Sequence, residues 1–208
     1  KGIAEITVLM FADEGGTEKV KVKYDIPGSS LRTPSGSSDT RTFSVPVTAS
    51  TYKRIALITN AQTELAGIAA GSTYDALKQV EVTGRFGQAG TGTYIPMYGE
   101  HAPAGGFELK AGVSQTIAQE IPLIRMLARV DIINPITSGA TTAAGEVYFV
   151  NPVGNGRVWV DLATYNTTST QSGYMTPTLP VAPQPAVGGG HPLEGIANTT
   201  SPNVITYY

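Results

Sequence analysis

The segment Ile3-Ala-Glu-Ile-Thr-Val-Leu-Met-Phe11 is apolar on both of its period-2 faces. Ala4, Ile6, Val8 and Met10 form one face without interruption, while Ile3, Leu9 and Phe11 dominate the other around Glu5 and Thr7. A strand apolar on both sides has to lie deep in a sheet. Composition narrows the choice further. The 208 residues include 24 glycines and 14 prolines, more than a helical bundle tolerates. Charged residues make up 14%, against roughly 25% in an average soluble protein, which excludes a highly charged disordered chain. A net charge of −2 lacks the basic footprint of a general nucleic-acid binder. No run of 18 apolar residues occurs. With no cysteine, disulfide frameworks, thiolate metal sites and Cys nucleophiles are excluded together.

Further strands follow from alternation. Asp13-Glu-Gly-Gly16 supplies a hairpin turn, and Val20 to Tyr24 alternates apolar residues with lysine as a more exposed strand. Residues 27–41 read as a solvated loop, followed by strands at Thr42–Thr48 and Arg54–Thr59. Between Ala61 and Val80 the apolar spacing becomes helical; Thr73 stands as an N-cap and Gly71 as the end of a preceding helix. Gly84–Gly92 is a glycine-rich loop. The strongest strand signal spans Ile121–Ile133: Ile124, Met126, Ala128, Val130 and Ile132 share one apolar face, and Arg125, Arg129 and Asp131 share the other. A hairpin is expected at 146–162 around Gly154-Asn-Gly156, and a terminal strand at 204–208.

Chemical motifs are weak against their structural alternatives. Ser50-Thr-Tyr-Lys53 matches S-x-x-K but enters a strand and lacks the partner motifs of Ser acyl enzymes. Gly87, Gly90 and Gly92 are followed by no Gly-Lys-Ser/Thr, so no phosphate loop is indicated. His101 and His191 are isolated, and Glu100-His101 lacks the spacing of a helical metal site. Asp13 to Glu18 misses calcium-loop geometry and is explained by a turn. Asn166 and Asn198 head acceptor tripeptides that arise often in Thr-rich loops. Arg125 and Arg129 have Asp131 on their own strand face, so an intrastrand charge pair accounts for them. Trp159 and the ten tyrosines are read as packing residues.

The order of segments is more specific. The opening strand is followed by Arg54-Ile-Ala-Leu-Ile-Thr-Asn60, Thr73-Tyr-Asp-Ala-Leu77, Ile95-Pro-Met-Tyr-Gly99 and the Leu-Ile-Arg-Met-Leu-Ala-Arg core of Ile121–Asp131. This series resembles the N-terminal domain of the fimbrillins, the major and minor subunits of Bacteroidota type V pili. It covers residues 1–134 well and 135–208 loosely.

The resemblance implies a mainly β protein of two transthyretin-like Greek-key β-sandwich domains in tandem. Residues 1–134 would be the first, with one or two short helices, and 135–208 the first part of the second. It implies no enzymatic activity, no catalytic residues, no cofactor and no metal. Fimbrillin precursors are lipoproteins from which an Arg-specific protease removes an N-terminal strand at the cell surface; the vacated groove accepts a strand from the next subunit. The expected location is therefore an extracellular, outer-membrane-associated fimbrium, with membrane contact only through a removed lipid-anchored segment. The expected partners are copies of itself or related pilus subunits, with a host-surface ligand beyond them and no nucleic acid. The expected core and groove residues are Ile6, Val8, Met10, Ile124, Met126, Ala128 and Val130. A pilus-tip or surface adhesin that binds host glycan or protein is the alternative.

Overall fold

The computed structural model describes residues 2–37, 39–83, 94–116, 120–126, 130–134, 155–162 and 203–207. It is mainly β, with few helical residues. Two compact units emerge that are not consecutive in sequence. Residues 1–82, 94–126 and 157–173 form the first, and residues 83–93, 127–156 and 174–208 the second.

The first unit is built on one antiparallel sheet. Its strands are β1 (Glu5–Glu14), β2 (Thr17–Pro27), β4 (Arg54–Thr59), β6 (Met97–His101) and β8 (Ile124–Arg125), in the spatial order β2-β1-β4-β6-β8. The short strands β3 (Ser50–Tyr52) and β7 (Phe107–Leu109) make a separate antiparallel ribbon. The turn between β1 and β2 places Gly15 and Gly16 at φ 66° and 82°, a left-handed pair that glycine adopts without strain. Asp13 Oδ1 accepts the Gly16 N–H at 2.8 Å, so its carboxylate serves the turn.

Seven consecutive β1 residues, Ile6–Ala12, are buried, because both sides of the sheet are covered. On one side Ile6, Val8 and Met10 lie level with Ile55 and Leu57 of β4 and Ile26 of β2. The half-buried Leu31, Phe43, Val45, Val47, Phe107 and Leu109, together with Tyr52, pack over them. Leu9, Phe11, Ala56, Ile58 and Tyr98 belong to the opposite parity. That side meets the helical segment, where Leu65, Ile68 and Leu77 are buried. Each such side chain contributes about 1.5–3 kcal/mol, which is why sheet and cover form together.

Helix content between residues 61 and 80 is a 3-10 turn at Glu64–Gly67 and the helix α1 at Tyr74–Lys78. Thr73 caps α1 as expected, its hydroxyl accepting the Ala76 N–H at 3.1 Å. Gly71 does not end the 3-10 turn, which closes at Ile68; it turns at φ 89° and donates its N–H to Val20 O. The Arg157–Leu162 segment joins this layer, Val158 donating its N–H to Val80 O at 3.1 Å.

Four further sequence expectations change. Residues 42–48 keep the expected alternation, with Phe43, Val45 and Val47 turned inward, yet form no strand beyond a bridge between Thr42 and Arg32. An extended segment becomes a strand only with a ladder partner, and Pro46 has no N–H to give. The single long strand at 121–133 is instead β8 and, separately, β9 (Val130–Asn134). Val20 does not share a face with Val22 and Tyr24. The register shifts between Met10 and Phe11, whose partners are Val22 and Val20, so Lys21 is an additional residue that reverses the pleat. Finally, Asn155-Gly156 is no turn: Asn155–Arg157 is strand β10. Residues 146–154 and 84–92 lie outside the described residues.

In the second unit β9 pairs antiparallel with β11 (Asn203–Tyr207), from Asn134 opposite Asn203 to Val130 opposite Tyr207. The expected terminal strand is thus present as β11. Strand β5 (Glu81–Thr83) follows α1 in the chain, with Glu81 and Val82 in the first unit.

Candidate functional site

Two places in the first unit combine exposure or charge with a defined geometry. The first is a cluster on the helix side of the sheet. Arg54 opens β4 opposite Phe11, among strands that are otherwise apolar there. A cation in that position needs anionic partners. The pleat reversal at Lys21 turns Glu18 to the same side, and Ala56 pairs with Glu100 of β6. Arg54 Nε donates to Glu18 Oε2 at 2.8 Å and Nη2 to Oε1 at 3.3 Å, a side-on fork; Nη1 donates to Glu100 Oε1 at 2.7 Å. Its guanidinium also lies 3.9 Å from the centre of the Tyr74 ring. Burial opposes the charge on Arg54, but the Glu18 hydrogen bonds and the field of Glu100 outweigh it and hold the guanidinium above its ordinary value.

The other carboxylate oxygen, Glu100 Oε2, accepts from the Tyr74 hydroxyl at 2.8 Å and the Tyr98 hydroxyl at 2.5 Å. Tyr74 in turn accepts the Trp159 indole N–H at 2.7 Å, and its ring meets Phe11 edge-on with centroids 5.4 Å apart. Burial, reinforced by the Glu100 charge, pushes the Tyr74 phenol up to about 12. The same two causes push Tyr98 up strongly. Phenols held neutral against one carboxylate fasten elements together: here β2, β4, β6, α1 and the Trp159 segment. Sequence reasoning passed over this cluster, although a charged residue heading the doubly buried run Arg54-Ile-Ala-Leu-Ile was the signal for it.

The second place is the extended segment 43–47. Thr42 and Arg32 exchange two backbone hydrogen bonds of 2.8 and 2.9 Å, and Thr48 O accepts from the Tyr52 hydroxyl at 2.6 Å. Between them, no backbone hydrogen bond reaches residues 43–47 among the described residues. Phe43, Val45 and Val47 point to the core, and Ser44 and Pro46 are exposed. Among the described residues, the segment therefore keeps the alternation of a strand without its backbone ladder.

Within the first unit's sheet, the expected core and groove residues Ile6, Val8 and Met10 have the opposite parity to Ile124. Ile6, Val8 and Met10 are buried on the ribbon side. Ile124 is half-buried and pairs with Tyr98, which puts it on the helix side. Met126 is half-buried and donates its N–H to Pro96 O at 3.0 Å. Val130 belongs to β9 in the second unit, and Ala128 lies outside the described residues. Arg125 is exposed, as its strand face predicts. His101 lies against Phe107, with ring centroids 6.2 Å apart. Among the described residues, no group of three His, Asp or Glu side chains is placed to hold a metal ion, and no helix is long and apolar enough to cross a membrane.

No protein-family model matches the chain, and no curated protein matches it.

Proposed function

We propose that the chain is a structural subunit of a cell-surface pilus of the fimbrillin type, joined to copies of itself or to related subunits by strand exchange, in support of adhesion. The observation that carries this reading is the open edge at residues 43–47, with its inward Phe43, Val45 and Val47. An incoming strand would complete the ladder there and add apolar burial beside a core already formed. Ladder bonds at about 0.5–1.5 kcal/mol each and side chains at about 1.5–3 kcal/mol each give a durable joint without chemistry. In the same reading, the five-stranded sheet and the β3–β7 ribbon are the layers of the first of two tandem transthyretin-like Greek-key sandwiches, nominally 1–134 and 135–208. The location that follows is extracellular, on an outer-membrane-associated fimbrium.

The test is electron microscopy and size-exclusion of the purified full chain and of Val45→Pro, which removes one N–H from the open edge. Filaments that survive dilution and salt in the parent, and monomers of unchanged circular dichroism in the variant, support the reading. A parent that stays monomeric, or filaments that dissolve in moderate salt, overturn it.

A further inference from the structure

The hydrogen bonds that join Tyr74 to Trp159 and to Glu100 have only one possible polarity. The indole nitrogen of Trp159 can donate but not accept, and an ionised Glu100 can accept but not donate. The Tyr74 hydroxyl, 2.7 Å from the first and 2.8 Å from the second, must therefore accept from Trp159 and donate to Glu100. A phenol that donates to a carboxylate carries more negative charge on its oxygen and is a better acceptor in turn. The strength of the Trp159 bond thus depends on a carboxylate that Trp159 does not touch.

That bond is one of the polar ties of the segment bearing Trp159. Val158 and Val160 are fully buried, yet the backbone of 158–162 makes one hydrogen bond to the rest of the unit among the described residues, from Val158 N to Val80 O. Trp159 is half-buried, and the Lys78 ammonium lies 5.6 Å from its ring centre.

We propose that Arg157–Leu162 is a strap over the helix side of the sheet, whose grip is set at a distance by the Glu100 carboxylate through the Tyr74 hydroxyl. Glu100 is shared with Arg54, so losing its carboxylate loosens the strap and the Arg54–Glu100 pair together. Strand exchange plays no part in this inference, which stands or falls separately from the proposed function.

Trp159 is the single tryptophan of the chain, so its indole proton is one resolved resonance. In the full-length parent that proton is expected downfield and slow to exchange. Glu100→Gln should move it upfield and speed its exchange several-fold. Tyr74→Phe should abolish the shift, and Glu18→Gln, which leaves Tyr74 and Glu100 in place, should change it little. Acrylamide quenching of Trp159 should rise in the same order. An indole proton that exchanges freely in the parent overturns the proposal without any variant. So does a Glu100→Gln variant of parental circular dichroism with an unmoved indole resonance.

Discussion

Glu18 reaches Arg54 at 2.8 Å because β2 holds one residue more than β1 between the pairs Met10–Val22 and Phe11–Val20. A straight strand with Lys21 in the ladder opposite Phe11 would instead carry Lys19 to the Arg54 side and Val20 away from the buried helix-side layer. Deleting Lys21 removes only the additional residue, so Val20 stays opposite Phe11 and Glu18 opposite Asp13 in an unbulged ladder. We expect the deletion to keep the Arg54–Glu18 pair and to change stability by at most about 1 kcal/mol, close to Lys21→Ala at the same exposed site. Urea midpoints of the two variants decide it; a far lower midpoint for the deletion would mean that the twist of the bulge is itself required.

High pH should act through the phenols. The unfolded chain releases tyrosine protons near pH 10, whereas burial and the Glu100 charge push the Tyr74 phenol up to about 12 and the Tyr98 phenol up strongly in the folded chain. The folded state then binds more protons in that window, so stability falls as pH rises through it. For Tyr98, the more strongly raised of the two, the decline is the steeper. Tyr98→Phe should start less stable, having lost its bond to Glu100, and decline less steeply from pH 10 to 12, as chemical denaturation at each pH will read.

Gly99 carries no strain in φ, yet a Cβ placed on it would come within 2.3 Å of Pro122 O. Gly99→Ala has to push the chain before β8 away from β6, at about 1–3 kcal/mol. Gly67→Ala, where nothing lies within 4 Å, should be neutral or better in thermal melts.

Asn60 adopts φ 56° at the end of β4, where its Oδ1 accepts the Ala4 N–H and its Nδ2 donates to Ile95 O, both at 2.8 Å. Asn60→Gly keeps the backbone conformation and removes both bonds. A loss of about 1–3 kcal/mol is expected, with faster hydrogen exchange at Ala4 than elsewhere in the sheet.

The parts of the fold that could be read from the residues are those where side-chain period and backbone role coincide. Arg54–Thr59 is a strand over the expected residues, the opening strand is present as β1, and Thr73 caps α1. Pairing and register are different, because they depend on neighbours the local sequence does not name. The Val20-Lys-Val-Lys-Tyr24 pattern suits a straight strand as well as the bulged one observed. Residues 42–48 have the side chains of a strand and, among the described residues, lack its ladder. For the candidate site, Arg54 was visible as a misplaced charge, but its partners Glu18 and Glu100 came from strands whose parity only the sheet order reveals.

The two-sided burial of β1 also limits how its sequence can vary. A polar replacement at any of the seven positions Ile6–Ala12 meets a packed layer, so tolerance should fall as one unbroken block. Exchange among Val, Ile, Leu and Met is far milder, because cores accept apolar swaps that conserve volume. What β1 specifies is thus bulk and apolarity at each position, with little preference for identity. Divergent chains can share this sheet while having few identical residues in its most buried strand.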